Sequence, residues 1–285
     1  MSFLEYESIV LRELVAYGKN KLDIGKISNS KKEIDWFLEE KLSISISDIK
    51  LNQNRVLNKK EISLFIKFID RRIKGEPFQY IINKATFYGY DYFVNENTLI
   101  PRPETELIID IAKQHGLFNR ALDIGTGSGN IAITLAMKKI VKEIDAIDIS
   151  IEAVKIATRN AKTYNLNNVN FFQHDFISNP ILCKYDLIVS NPPYISYRDY
   201  QNLENHIKSY EPQIALTDSC DGLSFYTFFA KNLSKILSPH GRIILEIGYE
   251  ETKQRIEEIF TSEGFLCIWY RDLNNNYRVL ECFYE

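Results

Sequence analysis

The chain has 285 residues and a mass of 33.3 kDa, more than one ordinary domain and about right for two. Its 45% hydrophobic and 26% charged residues are globular values that exclude a disordered or collagen-like chain, and no run approaches the roughly 18 apolar residues of a membrane-spanning helix. A net charge of -3 and a pI near 5.9 argue against holding nucleic acid by broad phosphate neutralisation, and the opening MSFLEYESIV lacks the pattern of a signal peptide.

Residues 1–75 read as helical. Leu4, Ser8, Leu11 and Val15 step at three or four residues, as do Ile34, Phe37, Leu38 and Leu42, and then Ile62, Phe65, Ile66 and Ile69. The expected domain, residues 1–80, is a small bundle with no catalytic constellation, serving either as a stabilising cap or as a docking module. It holds 15 Lys and Arg against 12 Asp and Glu, a net of +3, and the remainder carries -6. Residues 81–103 change period: Phe87, Tyr88, Tyr90, Tyr92, Phe93 and Val94 are strand formers, and they predict a hairpin linker.

From residue 104 to 285, strands alternate with helices. Strands are expected over 121–124, 144–148, 169–173, 185–190 and 241–247, with helices over 105–113, 130–138, 151–164, 223–237 and 250–262. Residues 265–272 and 277–283 look like a closing antiparallel pair. The fold class is therefore α/β, a Rossmann-like seven-stranded, mostly parallel sheet with an antiparallel C-terminal pair, joined to the helical bundle by the hairpin.

Two segments carry chemistry. Gly125, Thr126, Gly127, Ser128 and Gly129 lie between the first strand and its helix, where a ligand approaches the backbone beyond the strand ends. Asp148 ends the second strand, placed to accept hydrogen bonds from both hydroxyls of a ribose. A bare tight turn is the plain alternative. The glycine spacing fits D-x-G-x-G-x-G, associated with S-adenosylmethionine, better than the G-x-G-x-x-G of NAD. Asp175, past the third strand, is placed to reach an adenine amino group with Phe176 beside the ring; its alternative is a turn or cap residue.

The second segment is Asn191, Pro192, Pro193 and Tyr194, just beyond the fourth strand. Two prolines there cannot donate to a ladder, and they set the direction of the Pro192 carbonyl. With the Asn191 side-chain carbonyl it offers two acceptors for an NH2 group, while Tyr194 offers a flat face. Such acceptors suit a delocalised amide or arylamine nitrogen, which gains positive charge as a methyl group arrives, and no strong general base is needed. The histidines and the cysteines Cys183, Cys220, Cys267 and Cys282 are scattered, so no metal site is expected.

With these segments in hand, the sequence resembles the HemK family, the N5-glutamine methyltransferases of peptide chain release factors. The likeness covers about residues 75–285 and rests on Asn191 to Tyr194, the glycine turn, residues 75–81, Phe87-Tyr88-Gly89, the IPRPETE run at 100–106, Glu211-Pro212, Asp221-Gly222-Leu223 and Glu246-Ile247-Gly248. The front bundle has the family's size. The resemblance implies S-adenosylmethionine as cofactor, no metal, and a release-factor glutamine in a Gly-Gly-Gln motif as methyl acceptor. It implies that Arg102 and Glu104 shape the glutamine pocket and that Phe87 contacts the substrate, although Arg102 and Glu104 read alone form a helix-start ion pair. It implies a cytoplasmic monomer that holds no nucleic acid or membrane, with the front bundle docking the substrate. Asn83, Thr86, Ile151 and Glu251 depart from the family pattern; an asparagine at 83 tolerates a left-handed turn. The rival readings are an amino-group methyltransferase of adenine or cytosine, an NAD-dependent dehydrogenase, and a non-catalytic scaffold.

Overall fold

The computed structural model describes residues 7–179, 181–248 and 250–284. The chain divides into two compact units, Met1–Asn83 and Lys84–Glu285. In the first unit, β1 (Ser8–Val10) is followed by α1 (Leu11–Ile24), α2 (Ser30–Leu42), α3 (Ile46–Leu51), β2 (Val56–Asn58), α4 (Lys59–Ile73) and α5 (Phe78–Ile82). The apolar stripes of α1, α2 and α4 meet around Leu14, Ile34, Phe37 and Phe65, and Phe37 stacks on Phe68 at 4.4 Å between ring centres. A capping box between Asn58 and Glu61 starts α4.

Ser8 belongs not to a helix but to β1, which pairs antiparallel with β2 from Ser8 opposite Asn58 to Val10 opposite Val56. Three residues show too little alternation to register as a strand, and Ser8 fell on a helical spacing by coincidence; Leu4 lies outside the described residues. Asn83 ends α5 in the left-handed region, with φ 55°.

The second unit opens with a hairpin of β3 (Ala85–Phe87) and β4 (Tyr90–Tyr92), turned by Tyr88 and Gly89. A 3-10 turn at Pro103–Thr105 leads into α6 (Glu106–Gln114). The alternating part follows: β5 (Phe118–Ile124), α7 (Asn130–Met137), β6 (Val141–Asp148), α8 (Ile151–Thr163), β7 (Val169–Gln173) and β8 (Tyr185–Ser190). Three short helices come next, α9 (Tyr197–Asn202), α10 (Asn205–Tyr210) and α11 (Gln213–Leu216). The chain closes with α12 (Ser224–Asn232), β9 (Leu237–Glu246), α13 (Lys253–Ser262), β10 (Leu266–Arg271) and β11 (Tyr277–Phe283).

The seven strands lie in the order β10-β11-β9-β8-β5-β6-β7, with β11 antiparallel to both of its neighbours and the remaining pairs parallel. The order reverses between β5 and β8: from β5 the chain runs outward to β6 and β7, then returns to β8 on β5's other side. Their carboxyl ends part at this point and leave a crevice, the usual ligand position of an open α/β sheet. Residues on the two faces of β5 enter two separate cores, Ala121 in one and Leu122 with Ile124 in the other, so the strand is buried on both sides and rigid.

Candidate active site

One cleft opens at that crevice, about 1180 Å³ including the space at its mouth. It is lined by Gly125, Thr126, Gly127, Ser128, Asp148, Asp175, Phe176, Asn191, Pro192, Pro193 and Arg102, so most of the residues singled out from sequence converge there.

On one wall, β5 ends in the glycine turn. Gly125, Gly127 and Gly129 all have positive φ, and the Gly127 amide donates to the Asp148 Oδ2 at 2.9 Å. Asp148 Oδ1 accepts from the Ser150 amide at 2.9 Å, so the carboxylate is anchored by backbone on both oxygens. Burial raises its pKa, and the two amides pull it back. Gly129 is not in the lining. A Cβ there would meet Ile133 Cδ1 at 2.9 Å and the Ala157 Cβ at 3.0 Å, so this glycine lets α7 sit tightly on α8 and touches no ligand space.

Beneath the turn lies Asp123, fully buried. Its Oδ2 accepts from the Thr126 hydroxyl at 2.7 Å. Its Oδ1 has no hydrogen bond of normal geometry, although the Ala132 amide is close enough to favour the charged form. Burial pushes its carboxyl up to about 7. Asp175 sits at the rim, where its carboxylate accepts from the Ile177 and Ser178 amides and from the Ser178 hydroxyl at 2.6 Å. The alternative read from sequence, a turn residue, is what the geometry displays. Phe176 is buried against Phe228 and Phe229, while Ile149 and Ile177 line the cleft yet are about half exposed. Apolar side chains left open at a cleft mouth are what a flat ring would cover.

On the facing wall, Asn191 and Pro192 follow β8. Asn191 Nδ2 donates to the Thr105 Oγ1 at 3.2 Å. Among the described residues, neither Asn191 Oδ1 nor the Pro192 carbonyl accepts a hydrogen bond, so both acceptors are available. Tyr194 lines a smaller apolar recess next door, with Leu99, Leu203, Ile207 and Leu216, and Gly248 lets its ring in: a Cβ at 248 would lie 2.2 Å from the Tyr194 Cδ2. Arg102 does not pair with Glu104. It donates to the buried Glu211 at 2.6 Å, 109 residues away. Glu104 lines neither space, and its charge acts on Glu246 instead.

Phe87 also departs from expectation. It is 1% exposed, packs edge-on to Tyr92 at 6.2 Å and lines neither the cleft nor the recess. The strand alternation of β3 turns Phe87 into the core, so the expected substrate contact is corrected to a packing role.

Thr105, Glu211, Glu246 and Asn160 belong to segments that carry the family resemblance, yet the sequence assigned none of them a role. Asn160 ties the residue after β4 to the glycine turn, bonding both backbone groups of Phe93 and the Ser128 carbonyl. A glutamate directly after the apolar run Ile243, Ile244 and Leu245 is the residue-level signal that Glu246 is buried. The cleft suits a zwitterionic, phosphate-free ligand. Among the described residues, Arg102 is the single full cation in its lining, and it is already neutralised by Glu211.

Residues 103–208 match the family model described as Methyltransferase small domain, and residues 13–82 match the PrmC N-terminal domain. A release factor glutamine methyltransferase of Geobacter sulfurreducens is 32% identical, and the match covers 95% of each chain. A bifunctional methyltransferase of Rickettsia felis is 31% identical over 95% of this chain, which spans only 57% of that protein's length. A crystal structure of a methyltransferase from Pyrococcus furiosus superposes with a TM-score of 0.53 at 21% identity, over 70% of this chain and 90% of that one, a likeness of fold. Among the described residues no helix is long and apolar enough to cross a membrane.

Proposed function

Because the chain belongs to the release factor glutamine methyltransferase family, we propose that it transfers a methyl group from S-adenosylmethionine to the side-chain amide nitrogen of a release-factor glutamine. The observation that supports this best is the pair of open acceptors, Asn191 Oδ1 and the Pro192 carbonyl, set across one cleft from the glycine turn.

The glycine turn and Asp148 would hold the cofactor's amino-acid arm and ribose, with Ile149, Phe176 and Ile177 against its adenine. When bound, S-adenosylmethionine supplies an electrophilic methyl group on a sulfonium. The protein's own part is orientation. Asn191 Oδ1 and the Pro192 carbonyl each accept one amide hydrogen, so the amide is held with the face that carries the nitrogen lone pair toward the cofactor side. As the nitrogen gains a bond it gains positive charge, which those two carbonyl dipoles stabilise without reorganising. The surplus N–H proton, held by one of these carbonyls, passes to water. Arg102, fixed by Glu211, and Tyr194 border the approach to this point. The reading extends to a cytoplasmic monomer whose front unit, Met1–Asn83, docks the release factor, and whose overall charge of -3 keeps it off nucleic acid.

The test is incubation of the protein with labelled S-adenosylmethionine, purified release factor and duplex DNA. Label on the factor's glutamine peptide is expected. Label on DNA, or none on that peptide, overturns the reading.

A further inference from the structure

Asn191 can serve as an acceptor only if its amide faces the right way, and an amide is nearly symmetric in shape. Its two ends differ only in donor and acceptor character, so something must choose between them. The choice is made behind the cleft. Thr105 is 2% exposed and Glu246 1% exposed. The Thr105 hydroxyl donates its single proton to the Glu246 Oε2 at 2.5 Å. Its remaining lone pairs can then only accept, and they accept from Asn191 Nδ2 at 3.2 Å.

We propose that Glu246 is a positioning residue, which through Thr105 fixes the Asn191 amide with its oxygen toward the cleft. An ionised carboxylate has no proton to give, so the direction of every bond in the chain follows from it. Reversal would present the Asn191 NH2 to the substrate NH2, two donors face to face. The inference rests on the glutamine reading above.

The groups facing Glu246 are few. Tyr194 donates weakly to the Oε1 at 3.4 Å, and Tyr226 donates at 2.8 Å to the Glu246 backbone carbonyl, not to its carboxylate. The Arg278 guanidinium, bonded to the Gly248 carbonyl at 2.6 Å, favours the charged form, and Glu104 opposes it. Burial outweighs these and pushes the carboxyl up to about 7. A neutral Glu246 carries a proton of its own, which it can donate to Thr105, and the chain then loses its fixed direction. Transfer is therefore expected to fall as pH drops through about 7.

The experiment uses the full chain and three variants: Glu246→Gln, Thr105→Val, and Thr105→Ser as the rescue. Misplacement by about 1 Å can cost on the order of a hundredfold in rate. Glu246→Gln and Thr105→Val are expected to lower kcat by roughly tenfold to a hundredfold, with KM for release factor and cofactor affinity within a few-fold; Thr105→Ser recovers most of kcat. Both impaired variants lose the acid limb of the kcat profile. A second readout needs no turnover. The side-chain NH2 resonances of Asn191, identified by their loss in Asn191→Ala, should shift across pH 7 in the wild type and in Thr105→Ser, but not in Thr105→Val or Glu246→Gln. A Thr105→Val protein with wild-type kcat, or with an unchanged Asn191 titration, overturns the proposal. A wild type whose Asn191 signal titrates while no glutamine is methylated overturns the substrate reading and leaves the orientation device standing.

Discussion

The wall of the cleft built from the ends of β5 and β6 is held by its own backbone: Gly127 and Ser150 amides grip Asp148, and the turn follows directly from three glycines. The facing wall, residues 191–222, is hung on side-chain carboxylates, two of which bridge more than a hundred positions of chain. Glu211 holds Arg102 and Ile100 across about a hundred positions, Glu246 holds Thr105, and Asp218 gathers the amides of Cys220, Gly222 and Ser224. The first wall has little freedom to change its shape without breaking the sheet. The second is three short helices whose geometry is only as good as a handful of side-chain bonds. Damage to the first should therefore appear as lost cofactor affinity, and damage to the second as lost transfer with the cofactor still bound.

The sharpest separation is expected at Asn191. Asn191→Ala removes one of the two open acceptors and leaves the glycine turn intact. Losing one such electrostatic contact typically costs about 10²- to 10³-fold in kcat. Label transfer to release factor should fall by that amount, while calorimetric cofactor affinity stays within a few-fold. A large loss of cofactor binding would mean that the walls do not divide the work.

Next in size is Asp123, the buried carboxyl under the first wall. Its pKa is about 7 when folded and 3.8 in its ordinary state, so the folded protein binds the proton more tightly. Stability is then greatest below about pH 4 and is lost as pH rises through 7. At about 1.4 kcal/mol per pKa unit, the upper bound is about 4 kcal/mol. Asp123→Asn should be the more stable protein at pH 8 and nearly equal to the wild type at pH 4, read by urea denaturation. Equal stability at pH 8 would show that Asp123 is compensated in a way its hydrogen bonds do not reveal.

Two alanines make a matched pair of about tenfold effects, because small-to-large changes in packed sites cost about 1–3 kcal/mol. Gly129→Ala drives a methyl into Ile133 and Ala157 and twists a left-handed turn, so cofactor affinity should fall about tenfold. Gly248→Ala drives one into the Tyr194 ring, so kcat/KM for release factor should fall about tenfold at unchanged cofactor affinity. Reversed phenotypes would dissolve the comparison.

The same contrast explains what could be read from the sequence. The alternation of strands and helices, the glycine turn, Asp148 and the Asn191-Pro192 step are local patterns of two to fifteen residues, and they stand where periodicity and motif spacing put them, except that α12 stops at Asn232 and β9 begins at Leu237, inside the stretch expected to be helix. What escaped is non-local or too short. The pairing of Ser8–Val10 with Val56–Asn58 spans three residues a strand. The partners of Arg102, Thr105 and Asn191 lie 109, 141 and 86 positions away, separations at which no sequence pattern records contact. Phe87 was misplaced for the same reason, since only the pleat of the folded hairpin decides which of Phe87 and Tyr88 faces inward.

The smallest expected effect tests whether the rim belongs to the first wall at all. Asp148 ends β6, Asp175 lies two residues past the end of β7, and both line the cleft. Asp148 bridges the Gly127 amide of the β5 turn and the Ser150 amide after its own strand, whereas Asp175 gives both oxygens to its own turn at residues 175–178. The Ser178 hydroxyl and the neighbouring amides hold the Asp175 carboxyl below its ordinary range. Asp175→Asn keeps one carbonyl oxygen for that turn and removes only a solvent-screened charge, so its effect is small. Cofactor affinity should thus drop by less than about fivefold. Asp148→Asn, which replaces one of the amide-accepting oxygens with a donor, should cost at least about tenfold more. Equal losses at the two positions would make Asp175 a full member of the binding wall and give the adenine a direct carboxylate partner.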